Sequence, residues 1–216
     1  FHFARPMHLL WITGRTFGSD LCQTTQIQVA NALARRGWKV TFVAPEMADT
    51  AAFVKSEGHR FISGIKISKI PGLKSLTFER ALRKQLPRIL LDTRPNVAVC
   101  DWRGARGAWQ VLEMSGTPWV MVDRGPPAHR SILGCLQWLH YDRAWKKAGK
   151  RARECFSVSK SHSDFIQKRY SLSTPITTLP AAADASIFSI VPSESSEGRP
   201  GLDRPLRIVY HGRLDR

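Results

Sequence analysis

Short apolar runs separated by longer helical patterns constrain the fold of this 216-residue chain more than any other feature. The run LLWI at residues 9–12 contains no polar residue, and the run VAVC at residues 97–100 is similar. Strands without polar alternation are typical of parallel sheets that are buried on both faces. We predict further strands at residues 39–44, 119–123, 156–158 and 176–179, and one strand or a small hairpin within residues 59–70.

Segments with apolar residues at helical spacing alternate with these runs. They lie at residues 27–37, 47–57, 75–91, 105–115 and 161–169 and within residues 131–153. We expect Pro87 to interrupt or kink the segment that contains it. Right-handed crossovers between the strands then predict an α/β fold, a Rossmann-like, doubly wound, mostly parallel sheet with helices on both faces.

The composition changes near the end of the chain. We interpret residues 1–6 as a remnant ahead of a natural start at Met7, and residues 7–190 as one Rossmann-like domain. Residues 191–205 are rich in Ser, Pro, Gly and Glu, which is typical of a linker. Residues 206–216 resemble the first strand of a further domain, so we expect this chain to be a fragment.

The chain is strongly basic, with 33 Lys and Arg against 17 Asp and Glu and a formal net charge of +16. No run reaches the roughly 18 apolar residues of a membrane-spanning helix. The four cysteines lie far apart, so we expect buried reduced thiols rather than a disulfide framework or a metal site. Together these features predict a soluble protein of the cytoplasm.

The first strand-to-helix loop contains Gly14, Arg15, Thr16 and Gly18. In open α/β sheets, ligands bind beyond the carboxyl ends of the strands, and glycines let a phosphate or a sugar approach the backbone closely. The alternative is that these glycines only form a turn. The dinucleotide pattern G-x-G-x-x-G is absent, so we expect no NAD and no other cofactor.

Two further loops bring charged residues to the same edge of the predicted sheet. Asp101 and Arg103 follow one strand, and Asp123 and Arg124 follow the next. Guanidinium groups pair well with phosphate or carboxylate, so both arginines favour an anionic ligand. The alternative is structural, with the two aspartates capping helices or pairing with the arginines.

Catalytic machinery is not evident in the sequence. No Ser-His-Asp, H-E-x-x-H or P-loop pattern is present. His129 follows the third loop and is of a type that can exchange protons near neutral pH, although a single loop histidine is more often incidental. Catalytic residues therefore stay unassigned, with Arg124 and His129 as weak candidates.

Five segments in order resemble glycosyltransferase family 4, the group 1 retaining enzymes with the two-domain GT-B fold. Residues 7–44 resemble the opening strand, turn, helix and strand, with Trp38 replacing the usual His, and residues 96–125 follow the next strand, helix and strand. The others are FSVSK at 156–160, LPAAADASIF at 179–188 and IVYHGRL at 208–214. In the fourth, Ala181 and Ala182 depart from the usual Asn-Gly.

This resemblance implies an intact enzyme that moves a sugar from a nucleotide-sugar donor to an acceptor with retention of anomeric configuration. The chain would be the acceptor-binding N-terminal half of the GT-B fold and inactive alone. The donor phosphates would be held by Gly14, Gly18 and Arg213. The residues assigned to the acceptor are Arg15, Thr16, Asp101, Arg103 and Arg124.

Basic residues cluster on two predicted helices, at residues 73–91 and 131–153. The second contains the candidates for membrane contact, Arg143, Trp145, Lys146, Lys147 and Lys150. Cations beside aromatic rings are typical of a segment at an anionic membrane surface, and many family members act on lipid-linked acceptors. The alternative is a solvated helix face whose tryptophans pack inward.

Two other classes of function remain open from the sequence. The high charge is also typical of nucleic-acid binding, but no recognition motif accompanies it, so we do not expect nucleic acid as a partner. A non-catalytic α/β ligand-binding domain is the other alternative.

Overall fold

A computed structural model describes residues 6–15, 24–45, 59–65, 67–68, 70, 73–127 and 132–180. The chain divides into two compact units, Phe1–Ala182 and Ala183–Arg216. The second unit lies outside the described residues, as do the predicted helix at 47–57 and the predicted linker. The same holds for the candidate site residues Thr16, Gly18, His129 and Arg213.

The described elements alternate between strand and helix. In chain order they are β1 (His8–Ile12), α1 (Thr24–Arg35), β2 (Lys39–Pro45), β3 (Arg60–Ile65), α2 (Lys74–Thr93), β4 (Val97–Asp101), α3 (Trp102–Met114), β5 (Trp119–Asp123), α4 (Ile132–Ala144), a π-helical turn (Trp145–Gly149), β6 (Glu154–Ser157), α5 (Lys160–Tyr170) and β7 (Ile176–Thr178). The strands form one sheet in the order β3-β2-β1-β4-β5-β6-β7, and every described pair is parallel. The predicted Rossmann-like fold is confirmed.

Alternate residues of the central strands face opposite sides of this sheet. Leu10 and Ile12 of β1 pack in one core with buried residues of α2, α3, α4 and α5. Leu9 and Trp11 pack in a second core with Ile27 of α1. Crossovers of one hand place helices on opposite faces when the chain moves in opposite directions along a sheet. The strand order reverses between β1 and β4. Helix α1 therefore packs on one face of the sheet, and α2, α3, α4 and α5 pack on the other.

Of the two alternatives for residues 59–70, the single strand is confirmed, since residues 60–65 form β3, parallel to β2. Two other local predictions differ from the structure. Helix α2 runs through Pro87 without interruption and buries Phe78, Leu82 and Leu86 on its opposite side. Pro87 has no N–H to donate to the carbonyl of Arg83, four residues earlier in the helix. Both residues are exposed, so water can reach that carbonyl. Helix α3 begins at Trp102, three residues before the predicted start.

The cysteines only partly match the expected burial. Cys100 and Cys155 are buried free thiols, whereas Cys135 is exposed, so the prediction of burial is wrong for that residue. Burial, and to a lesser extent the charge of Asp123, raises the pKa of Cys155 to about 12. Both buried thiols therefore stay protonated at neutral pH and behave as small apolar side chains.

Two glycines of α3 serve helix packing rather than a ligand loop. A Cβ atom added at Gly104 would lie 2.7 Å from the backbone oxygen of Ile12. One added at Gly107 would lie 3.0 Å from the backbone oxygen of Glu79 in α2. The glycines thus let α3 approach the end of β1 on one side and α2 on the other.

We predict that Gly104→Ala lowers the free energy of unfolding by a net amount on the order of 1 kcal/mol. The new methyl group meets a backbone atom that cannot move away without distorting β1, and this overpacking outweighs the gain in helix propensity. Chemical denaturation measures the effect. Gln110→Ala, at an exposed position of the same helix, is the control and should change stability by less than about 0.5 kcal/mol. An unchanged or raised stability of Gly104→Ala would contradict the packing role.

Candidate functional site

A pocket opens at the carboxyl ends of β1, β4 and β5, where the strand order reverses. Its empty space is about 350 Å³, part of it open to solvent. Ligands of open α/β sheets bind at such a reversal of strand order. The described residues that line the pocket are Trp11, Arg15, Gln26, Asp101, Trp102, Val122, Arg124 and Gly125. Arg15, Asp101 and Arg124, which the sequence analysis assigned to a ligand, therefore lie around one cavity.

Asp101 holds the floor of this pocket together. Its carboxylate accepts hydrogen bonds from the hydroxyl of Thr13 at 2.7 Å and from the backbone N–H of Gly104 at 2.7 Å. The backbone N–H of Gly14 donates to it as well, at 3.2 Å. The same carboxylate thus caps α3 and fixes the loop that follows β1. The structural alternative is confirmed for Asp101, which also lines the cavity.

Arg103 and Gly14 lie beside the pocket and are not among its lining residues. The guanidinium of Arg103 stacks over the ring of Trp102, with its central carbon 4.7 Å from the ring centroid. A Cβ atom added at Gly14 would lie 2.4 Å from Cβ of Arg103. The close approach of Arg103 therefore explains why residue 14 is a glycine. A contact between Gly14 and a donor phosphate stays a prediction.

Gln26 is a pocket residue that the sequence analysis missed. It lies in the first turn of α1, and its side chain is only 4% exposed. Its amide oxygen has no hydrogen-bond partner among the described residues. Gln26 stands four residues before Ala30, a buried position of α1. A polar residue on the buried stripe of a helix, next to a strand-end loop, is the signal that could have identified it.

The second strand-end aspartate, Asp123, is completely buried. Its carboxylate accepts hydrogen bonds from the indole N–H of Trp145 at 3.2 Å, from Nε2 of His162 at 3.2 Å and from the hydroxyl of Tyr141. The backbone N–H of Gly125 donates to it at 3.0 Å. Because Gly125 lines the pocket, this cluster fixes the wall formed by the loop after β5.

The prediction that Trp145 contacts a membrane is wrong. Its side chain is fully buried, stacks on the ring of Tyr170 and donates to Asp123. Neighbouring Tyr141 is buried too, and burial followed by the charge of Asp123 raises the pKa of its hydroxyl far above the ordinary value. The tryptophan therefore packs inward, as the alternative interpretation of the basic helix had it.

Comparison with known proteins identifies the family. The family model described as Glycosyltransferase Family 4 matches residues 23–186, which is most of the chain. The chain belongs to glycosyltransferase family 4. No curated protein sequence matches it.

Solved structures similar to this family 4 chain share its fold at low sequence identity. A glycosyltransferase from Rickettsia africae has a TM-score of 0.63 at 11% identity, with 86% of this chain and 46% of that one covered. UGT2 from Phytolacca americana, solved with UDP-2fluoro-glucose and pterostilbene, has a TM-score of 0.57 at 11% identity, with 84% and 56% covered. UDP-GlcNAc 2-epimerase from Methanocaldococcus jannaschii has a TM-score of 0.53 at 12% identity, with 80% and 45% covered. The chain spans about half the length of these proteins.

The remaining candidates for membrane contact lie on the surface of the family 4 chain. The described side chains of Arg143, Lys146, Lys147 and Lys150 are exposed. None of the helices that the structure describes is long and apolar enough to cross a bilayer. The described residues also contain no group of three or more His, Cys, Asp or Glu side chains that could hold a metal ion.

We predict that Tyr141→Phe lowers the free energy of unfolding by about 1.5–3 kcal/mol, because it removes a donor from the buried carboxylate of Asp123. The matched control is Tyr170→Phe. Its hydroxyl also donates to a carboxylate, that of Asp142, at 2.6 Å, but Asp142 is part-exposed and paired with Arg169. Denaturant unfolding of both variants should give the larger loss for Tyr141→Phe. Equal losses would contradict a special role of the buried cluster.

Proposed function

We propose that this chain is the acceptor-binding half of a retaining glycosyltransferase that moves a sugar from a nucleotide-sugar donor to an acceptor. The pocket at the reversal of strand order, lined by Arg15 and Arg124 in a chain of family 4, is the observation that carries the proposal. The Phytolacca americana structure, with its bound UDP-sugar analogue and pterostilbene, supports a nucleotide-sugar donor and a separate acceptor in general.

Within this proposal the described residues divide into two roles. Arg15 and Arg124 contact the acceptor, since both line the cavity and carry a positive charge. Asp101 acts mainly by positioning the loop after β1, and Arg103 supports that loop through its packing against Gly14. Of the two weak catalytic candidates, Arg124 lies in the pocket, where a guanidinium can stabilise charge that develops during transfer.

The donor assignment concerns residues that are mostly outside the described part of the chain. We propose Gly14, Gly18 and Arg213 as donor-phosphate residues and Thr16 as an acceptor residue, as the family resemblance implies. The chain is about half the length of its structural relatives. We therefore propose that nucleotide-sugar transfer requires the full-length protein and that this chain alone is inactive.

We expect the full-length protein that contains this chain to release nucleoside diphosphate from at least one sugar nucleotide in a panel of UDP-, GDP- and ADP-sugars with candidate acceptors. Arg124→Gln should reduce kcat/KM about 10- to 100-fold, which corresponds to the roughly 1.5–3 kcal/mol of a hydrogen bond to a charged group. Arg88→Gln, whose side chain is 89% exposed on α2, is the control and should leave the rate unchanged.

The anomeric configuration of the product, measured by NMR, tests the retaining mechanism separately. We expect the configuration of the donor sugar to be preserved. An inverted product would contradict retention while leaving the transferase proposal in place. Absence of transfer from every sugar nucleotide in the panel would contradict the transferase proposal itself.

We also propose that the protein binds the inner face of an anionic membrane through α4 and the turn after it. Exposed Leu136 and Leu139 are followed at intervals of three or four residues by Arg143, Lys146 and Lys147. An apolar patch that continues into a basic one is typical of a helix that lies in a membrane interface. This stripe supports membrane contact without Trp145.

Vesicle co-sedimentation measures this contact. Replacing Lys146, Lys147 and Lys150 together by Ala should weaken binding to phosphatidylglycerol-containing vesicles on the order of 100-fold, at about 1 kcal/mol per cation. The control removes the same charge from exposed positions of α2, Lys74, Lys84 and Arg88. Equal weakening by both triple variants would contradict a specific surface, and stronger binding to duplex DNA than to vesicles would favour nucleic acid as the partner instead.

A further inference from the structure

The stripe of α4 that we propose to contact the membrane contains a histidine, His140. It follows Leu136 by four residues and precedes Arg143 by three, so all three lie on one face of the helix. Resting on the proposed membrane contact, we infer that His140 makes this contact sensitive to pH. The neutral ring is held against Arg106 of α3, and the protonated ring leaves Arg106 and adds a cation to the stripe.

The hydrogen bond with Arg106 defines the neutral state of the ring. The guanidinium of Arg106 carries only donors and is not deprotonated in proteins. It contacts His140 between Nη1 and Nδ1, so Nδ1 of the ring is the acceptor. A ring nitrogen that accepts a hydrogen bond carries no proton, which places the proton of neutral His140 on Nε2. A second proton would go to Nδ1 and remove this hydrogen bond.

The charges on α2 and α3 around this contact oppose a second proton on the ring. Glu79 of α2 lies 2.6 Å from the guanidinium of Arg106 and 2.9 Å from that of Arg83. Burial lowers the pKa of Arg106, Glu79 raises it, and Arg143 and Arg83 lower it, so all three arginines act on one another. Protonated His140 would be a fourth cation beside a carboxylate that is already paired twice.

The helix packed on the other side of α4 engages the acid of α4 itself. Asp142 is the one acidic residue in the sequence of α4. It accepts hydrogen bonds from Arg169 of α5 at 3.1 and 3.3 Å and from the hydroxyl of Tyr170 at 2.6 Å. Glu79 and Asp142 are therefore both engaged, and an external anion stabilises a proton on His140 better than these two side chains do.

An anionic membrane supplies such an external charge at this position. Leu136 and Leu139 are 44% and 45% exposed, and Arg143 is exposed as well, whereas His140 is half-buried. Contact of these residues with the bilayer brings anionic headgroups within reach of a ring that turns away from Arg106. Because the membrane favours the protonated ring, binding and proton uptake strengthen each other. Membrane binding should therefore tighten as the pH falls.

Vesicle co-sedimentation of the 216-residue chain at about pH 7.5 and about pH 5.5, the range in which histidine changes its charge, tests the inference. With vesicles of phosphatidylcholine and phosphatidylglycerol, we expect about fivefold tighter binding at the lower pH, the effect of one further cation at an anionic surface. His140→Gln stays neutral, and its amide oxygen can still accept from Arg106. This variant should bind like the wild type at the higher pH and lose the fivefold gain.

The matched control is His59→Gln, which should keep the gain. His59 contacts Phe42 and Asn31 of the second core and α1, on the face of the sheet opposite to α4. The quantity compared is the gain of the wild type relative to each variant, because other titrating groups contribute to all of them. Vesicles of phosphatidylcholine alone carry no net charge and should abolish the difference between wild type and His140→Gln.

A second variant tests the inference through a gain of binding. His140→Lys carries a positive charge at both pH values, so it should bind about fivefold more tightly than the wild type at the higher pH. Far-UV circular dichroism that matches the wild type shows that this gain does not come from unfolding. A His140→Lys variant that is folded and binds no more tightly than the wild type would overturn the inference.

The outcomes separate this inference from the proposed membrane contact. Binding to phosphatidylglycerol-containing vesicles with the same pH dependence in the wild type and His140→Gln would overturn the role of His140 alone. So would wild-type binding that is unchanged or weaker at the lower pH. No binding to these vesicles at either pH would contradict the membrane contact itself, and the role of His140 with it.

Discussion

The carboxylate of Asp101 is the interaction on which the candidate site depends. It stands at the end of β4, caps α3 through Gly104 and holds the loop after β1 through Thr13 and Gly14. Three separate elements therefore meet at one buried acid. Hydrogen bonds to a charged group are each worth about 1.5–3 kcal/mol, so the arrangement fixes the pocket floor before any ligand arrives.

Asp123 repeats this arrangement one strand further along the sheet. Its four donors come from the loop after β5, from α4 and its π-helical turn, and from α5. Both aspartates thus use their oxygens on the protein itself. Arg15, Arg124 and Gln26 also line the cavity.

Much of the fold follows from the sequence because parallel strands buried on both faces must be continuously apolar. β1, β4 and β5 were predictable for that reason, and the family followed from segments spaced along them. The start of α3 could not be predicted in this way. The glycines near its start favour a loop when they are considered locally, and the close approach of α3 to β1 that they permit is a tertiary contact. The continuity of α2 through Pro87 likewise depends on which side of the helix faces water.

The site was predictable only as far as its position at the strand ends. The burial of Trp145 depends on a partner 22 residues away, Asp123, and no local pattern shows that pairing. Gln26 has a recognisable place on the buried stripe of α1, but its missing partner is visible only in three dimensions. The sequence therefore placed the charged loops at the strand ends, and the structure was needed to show which of their side chains bind other parts of the protein.

Nitrogen-15 NMR of the chain during titration with a candidate acceptor tests the central claim most directly. If the pocket between β1, β4 and β5 binds the acceptor, the side-chain amide signal of Gln26 and the Nε–H signals of Arg15 and Arg124 should shift together and saturate at one ligand concentration. Shifts confined to the surface of α4, with these three signals unchanged, would contradict the account.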